Sequence, residues 1–401
     1  MKERRIALVD RQYLLPFVLL TSLFFLWGFA HAILDVLNKH FQELLAITKT
    51  HSALIQATMY MGYFIMAVPA GLFITRFGYR KGVVSGLLLY GIGSILFIPG
   101  QYWMSFDFFL FSLFVIGCGL VFLETAANPY VTELGAKETA ASRLNFAQSF
   151  NGLGCIFAPI LTGFLLFSDD NGMRSGNVAL PYTVMGVIVL LVAVIFSRVR
   201  LPEIRHEVEV DDSGRAVSLW SHRLFVFGLV ALFFYEISEI SINSFFINYV
   251  TDKEWMNARD ASVILSFGGL GLFMVGRFVG SWIMGRVRAE KMLFWCATGT
   301  VATTLLVLLD VGYFSLSALL CGYAFEAIMF PTIFALSLKG LGSHTKRASS
   351  FLMMTPVGGA VGPLLMGWVG DHMAMHWAFV IPFVGYVVVW TFARYALVCR
   401  K

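Results

Sequence analysis

Charge is what this sequence has least of. Only 13% of its 401 residues are Asp, Glu, Lys or Arg, while 58% are hydrophobic and the mean hydropathy is +0.77. Soluble domains carry about twice that charge, so a soluble globular chain is excluded and a polytopic membrane protein is indicated. Cysteine is also scarce. The five, at 118, 155, 296, 321 and 399, show no paired spacing and four fall inside apolar runs, which excludes a disulfide framework and makes them packing residues. There is no metal-ligand spacing, no nucleophile elbow and no phosphate-binding loop, so neither an enzyme nor a cofactor or metal is expected. The net charge of +5 would point to nucleic acid in a soluble chain, but here the basic residues gather in short loops, where they report orientation. No nucleic-acid partner is expected.

What is present is a series of apolar runs. They recur at roughly 14–37, 51–75, 82–100, 106–132, 144–167 and 179–198, and again at roughly 223–250, 260–285, 292–310, 313–338, 348–370 and 376–398. The chain thus reads as an all-α membrane protein of twelve transmembrane helices. The first run ends on a polar face and lacks a small-residue cleavage site, so no cleaved signal is expected. Between the two sets lies a charged stretch without apolar period. The predicted division is 1–200, a linker at 201–221 and 222–401. With twelve spans both termini share one side, and that side's termini and loops hold 23 of the 29 Lys and Arg residues. The positive-inside rule makes it cytoplasmic.

The halves repeat one another. Gly71 to Arg76 recurs as Gly280 to Arg286 between the second and third spans of each half, and Glu124 with Pro129 recurs as Glu326 with Pro331 in the fourth. In the fifth, Arg143, Gly154, Pro159 and Gly163 recur at Arg347, Gly358, Pro363 and Gly367, at a constant offset of 204. Two pseudo-symmetric six-helix bundles with a site at the interface of the repeats form a transporter architecture.

The candidate site starts from Glu124, which has no Lys or Arg in its span. A carboxylate at bilayer depth costs about 3 kcal/mol on insertion scales, so it must be protonated, paired or in a wet cavity. Pro129, five residues on, removes a backbone donor and frees a carbonyl near Thr125. Helical spacing sorts the other intramembrane polar residues into faces. These are His31, Asp35 and Asn38 in the first span; Gln56, Tyr60 and Tyr63 in the second; and Glu124 and Asn128 in the fourth. Gln148, Asn151 and Cys155 share a face in the fifth, Glu236, Glu239 and Asn243 in the seventh, and Tyr323, Glu326 and Phe330 in the tenth. Carboxylates and amides pair with vicinal hydroxyls and ring faces cover the C–H side of a pyranose, which suits a sugar. Each amide has a duller reading as a bridge between helices, His31 as a satisfied core histidine and the tyrosines as packing. Asp107, Asp310 and Asp371 sit at span ends, where solvation is the default. Arg76, Arg143, Arg286 and Arg347, at equivalent places in the two halves, are gating candidates for a cytoplasmic closure.

The stretches GYFIMAVPAGLFITRFGYRKG, LETAANPYVTELG, RLNFAQSFNGLGCIFAPILTG, IMFPTIFALSLKGLGSHTKRAS and VGGAVGPLLMGWVGD resemble the fucose permease and glucose/galactose transporter family of the major facilitator superfamily, over nearly the whole chain. The resemblance implies the major facilitator fold in a bacterial cytoplasmic membrane. It also implies that Asp35 and Glu124 match the two acids tied to proton coupling and sugar binding in fucose permease, with Gln148 and Asn151 as cavity amides. YEISEISINSF looks like YVGAEVSIGSF of the glucose/galactose branch, which places Glu239 on that branch's acid and favours hexoses. Thr75 stands where the superfamily usually has Asp, a departure the fucose permease branch shares, and three residues depart from the family pattern: Glu326 replaces an Asn, Glu236 is an added charge, and Pro356 in MTPVGGA stands where MAIVGGA is usual.

The leading expectation is a monomeric carrier in the lipid bilayer that imports a monosaccharide with a cation, H+ foremost, by alternating access. Asp35 is assigned mainly to the cation, and Glu124 to the point where cation and sugar meet. Sodium coupling through Asp35, Asn38, Glu239 and Asn243, a proton-driven exporter, and a non-transporting sugar sensor are the alternatives. The sensor would want an output domain, and the linker of about 20 residues offers none.

Overall fold

Hydrocarbon offers no partner for a peptide N–H or C=O, so a chain of this composition must bond its backbone within each span. The computed structural model is accordingly helical throughout its described residues, which are 9, 11–134, 140–166, 178–199, 219–284, 286–339, 341, 348 and 351–398. The first six spans are α1 (Leu14–Leu45), α2 (Leu54–Phe77), α3 (Tyr79–Ile95), α4 (Phe106–Glu133), α5 (Ala140–Leu166) and α6 (Ala179–Arg198). The second set opens with α7 (Arg223–Asp252). Next comes α8, made of Ala258–Ile264, a π turn at Leu265–Leu270 and Gly271–Met284. It is followed by α9 (Ala289–Leu308), then α10 in two pieces, Tyr313–Glu326 and Met329–Leu338. Last are α11 (Gly358–His372) and α12 (Val380–Val398).

Ten of these stretches are long and apolar enough to cross a membrane, and α5 and α11 supply the fifth span of each half. Leu72, Leu191, Val275 and Trp282 lie on the outside, which suits a surface solvated by lipid. Most of the linker 201–221 lies outside the described residues, as does Arg347, and the side chain of Arg143 is likewise not described.

By internal contacts the chain forms two units. One holds Met1–Ile33, Met61–Leu166 and Asn171–Val208; the other takes Leu34–Tyr60 together with the C-terminal half. The division cuts α1 and α2, and its last boundary, between Val208 and Glu209, falls inside 201–221. Specific bonds explain this: Asn38 Nδ2 donates to the Ser244 carbonyl at 2.7 Å, Asn248 Nδ2 donates to Gln42 Oε1 at 2.6 Å, and Lys49 Nζ bonds Asp252 at 2.5 Å.

The repeat seen in sequence is also a repeat in packing. A Cβ added to Gly154 would lie 2.2 Å from the Phe25 carbonyl oxygen, so α5 and α1 touch backbone to backbone there. At Gly358, 204 residues later, a Cβ would lie 2.5 Å from the Phe233 carbonyl oxygen, and α11 and α7 touch in the same way. In each unit the fifth span crosses the first at a position only glycine can fill.

Gly154→Val and Gly358→Val are therefore expected to lower the thermal unfolding temperature of detergent-solubilised protein, each by about 1–3 kcal/mol of overpacking. Gly71→Ala, with open space around the added methyl, should change it little. Equal unfolding temperatures in all three variants would refute the close crossing.

Candidate functional site

In the first unit α1, α2, α4 and α5 bring polar side chains together. Tyr63 OH receives Trp27 Nε1 at 3.0 Å and lies 2.9 Å from His31 Nε2, so His31 is bonded between spans. Gln148 Nε2 reaches Asn128 Oδ1 at 3.4 Å, a weak contact that leaves both amides with capacity to spare. Asn151 Nδ2 donates to the Phe24 carbonyl at 3.3 Å, beside the glycine crossing, where a Cβ on Gly28 would meet the Asn151 backbone. Glu124 is half-buried and, among the described residues, makes no hydrogen bond and no ion pair. Its helix runs unbroken past Pro129 to Glu133.

The second unit holds the other acids. Asp35, 5% exposed, accepts from Gln56 Nε2 at 3.0 Å, while Gln56 Oε1 has no described partner. Asn38 is fully buried and its amide is taken by the Ser244 carbonyl, so it bridges α1 and α7. Asn243, also buried, leaves its Oδ1 without a described partner. Tyr60 packs with Ala57 and Ala360, its ring over Gly359. Glu236 is buried on α7, against Gly358.

The second-half counterpart of the Glu124–Pro129 pair behaves differently. Pro331 cannot donate to the carbonyl four residues back, that of Ala327, and the helix breaks between Glu326 and Met329. The freed carbonyls find side chains: Arg277 Nε donates to Ala327 O at 3.2 Å, and Tyr235 OH to Glu326 O at 3.3 Å. Counting three residues back from Gly280 gives Arg277, and counting three back from Gly71 gives Val68, which has no donor. This explains why one proline breaks its helix and its counterpart does not. Arg277 also stacks on Phe273 at 4.6 Å and is the cation whose field reaches Glu239. Tyr386 OH donates to Glu326 Oε2.

Residues 17–355 match the Major Facilitator Superfamily. The chain is 36% identical over 390 residues to a glucose/galactose transporter of Brucella abortus, covering 95% of this chain and 93% of that protein. It is 34% identical over 412 residues to the L-fucose-proton symporter of Escherichia coli, with 96% and 94% covered. The chain belongs to this transporter family of the major facilitator superfamily. The crystal structure of FucP in the outward conformation matches with a TM-score of 0.73 at 34% identity, over 96% of this chain and 99% of that one. An inward-facing bacterial homologue of the lysosomal transporter Spinster reaches the same TM-score at 15% identity and speaks for the superfamily fold alone.

Two features of this superfamily member escaped sequence reasoning. Arg277 was visible as a cation inside a span, and its depth was the available signal. The span-end acids gave none. Asp371 is exposed, as expected at a span end, and it also accepts from Lys49 N and Thr50 N, both at 2.8 Å, and from Thr50 Oγ1 at 2.5 Å. Asp310 bonds Lys253 and lies 3.6 Å from His376 Nδ1. Of the gating candidates, Arg76 and Arg286 are exposed and lie over the rings of Phe77 and Trp282, at 5.4 and 4.3 Å, with no ion pair among the described residues.

If Arg277 neutralises Glu239 while holding the break in α10, Arg277→Met should destabilise the protein by about 3 kcal/mol, because it strands a charge. Glu239→Gln in the same chain should recover part of that loss. A double-mutant cycle on unfolding in detergent is expected to give a coupling of about 1 kcal/mol or more; strict additivity would remove the pair.

Proposed function

We propose that this protein imports a monosaccharide, a hexose or deoxyhexose, by cation symport, with H+ as the coupling ion and alternating access as the mechanism. The observation that carries the reading is Asp35: a buried carboxylate that accepts from the neutral amide of Gln56, with no cation bonded to it among the described residues. Such an acid is tolerable in a membrane when protonated and costly when bare, which is the property a coupling group needs. The FucP likeness and the relatives named for fucose, glucose and galactose support the sugar class. The carrier works as a monomer in the bacterial cytoplasmic membrane. Its Lys- and Arg-rich loops support cytoplasmic termini by the positive-inside rule.

Within this reading the acid and the amides divide the work. Asp35 takes and releases the proton, and the carrier reorients with it neutral, since the equilibrium moves only when a ligand favours one state. Glu124 has no described partner to satisfy it, so a sugar hydroxyl is a fitting donor. Gln148 and Asn128, held to one another only weakly, have free donors and acceptors for hydroxyls.

Uptake of labelled hexoses and fucose into proteoliposomes, with pH and sodium gradients imposed separately, tests the proposal. A pH gradient should drive accumulation, and Asp35→Asn should abolish accumulation while sugar binding persists; binding without flux under either gradient would favour a sensor. Gln148→Ala is expected to weaken sugar binding several-fold, about 1 kcal/mol, at an unchanged unfolding temperature. Asn151→Ala should lower both, because its amide also braces α5 on α1 at Phe24.

A further inference from the structure

The break in α10 exposes more than backbone. Glu326 is the last residue of the helical piece Tyr313–Glu326 and is 2% exposed. One carboxylate oxygen, Oε2, accepts from Tyr386 OH, and the other, Oε1, has no partner among the described residues. Glu326 borders a cavity of about 10 Å³, room for one water-sized sphere, and so do Tyr323, Thr303, Thr304 and Tyr386. Tyr323, 1% exposed, also has a hydroxyl without a described partner. Thr303 and Thr304 both turn their hydroxyl hydrogens onto the Thr300 carbonyl, at 3.1 and 2.7 Å, which leaves their lone pairs free. Tyr386 likewise spends its hydrogen on Glu326 and keeps its lone pairs. The polar side of the cavity is thus oxygen, with the Tyr323 hydroxyl hydrogen as its unspent donor, and Ile242, Leu319 and Gly322 complete the wall.

Charge counting points the same way. Four acids, Asp35, Glu236, Glu239 and Glu326, lie within the spans of this unit, and the one described hydrogen bond of the Arg277 guanidinium goes to the Ala327 carbonyl. Among the described residues no basic side chain pairs with Glu326. The end of a helix carries partial negative charge from its carbonyls, here met in part by Tyr235 at Glu326 O and by Arg277 at Ala327 O. Half-helix ends of this kind coordinate small ions in other carriers with discontinuous spans. The lining has neither nitrogen nor sulfur, so it suits a hard ion.

We propose that Glu326, Tyr323, Thr303 and Thr304 form a binding site for a small monovalent cation, sodium, at the break in α10. Glu326 supplies the balancing charge, and the three hydroxyl groups replace water in the ion's shell. The π turn Leu265–Leu270 supports the site from α8, since a Cβ on Gly269 would lie 3.1 Å from the Tyr323 ring. This inference adds a second ion to the proton of the symport reading; its test needs neither sugar nor a gradient, so either can fail without the other.

The test is equilibrium binding of radioactive 22Na+ to purified full-length protein in detergent at alkaline pH. Saturable binding by the wild type is expected, with Glu326→Gln weakening it about tenfold or more and Tyr323→Phe and Thr304→Val each weakening it several-fold. Absence of saturable binding by the wild type would overturn the proposal. So would equal binding by the wild type and Glu326→Gln, or a loss confined to Asp35→Asn, which would put the ion elsewhere. Should Glu326→Gln not yield folded protein, Tyr323→Phe and Thr304→Val decide: unchanged binding in both overturns the site.

Discussion

An acid among membrane helices must be compensated by a proton, a cation or hydrogen bonds, and the polar architecture of this protein follows from that requirement. The acids inside the spans are met differently. Asp35 has the amide of Gln56 and Glu326 the hydroxyl of Tyr386, while Glu239, only half-buried, lies in the field of Arg277. Glu124 makes no bond with any described residue. Compensation by neutral groups leaves an acid able to exchange its ion, whereas compensation by arginine fixes it. On that basis Asp35, Glu124 and Glu326 are the acids suited to carrying something, and Glu239 is the one suited to holding structure.

The same rule applied to the backbone explains the one large departure from internal symmetry. Both halves carry a Glu and, five residues on, a Pro in the fourth span. In the first half the helix runs through the proline; in the second it breaks, because Arg277 and Tyr235 stand ready to take the carbonyls that the break releases. A discontinuous span is stable only where side chains substitute for the lost ladder. The break in turn sets Glu326 at a helix end.

Much of this was legible in one sequence. Composition and the twelve apolar runs specify a polytopic helical protein, since a bilayer admits few other solutions for a chain with 13% charge. The 204-residue offset pairs Gly154 with Gly358, and both do the same packing job, because close helix crossings demand glycine wherever they occur. The family motifs lie in the same helices. What periodicity cannot supply is the partner of a polar side chain. Asn38 and Gln148 look alike as amides on polar faces, yet one is sealed against the Ser244 carbonyl and the other keeps spare capacity.

The sequence by itself determined the class of the protein, the number and repeat of its spans, and the depth of its acids, because hydropathy, helical period and the cost of burying charge act locally along the chain. The tertiary structure alone decided which acid meets which partner and that Pro331 breaks its helix where Pro129 does not. It also decided that Asp371, exposed as expected, caps the Lys49–Thr50 backbone. Those outcomes depend on groups brought together from residues 21 to 322 positions apart, and a hydrogen bond or an ion's shell is set by distances of about 3 Å that no spacing in one segment encodes.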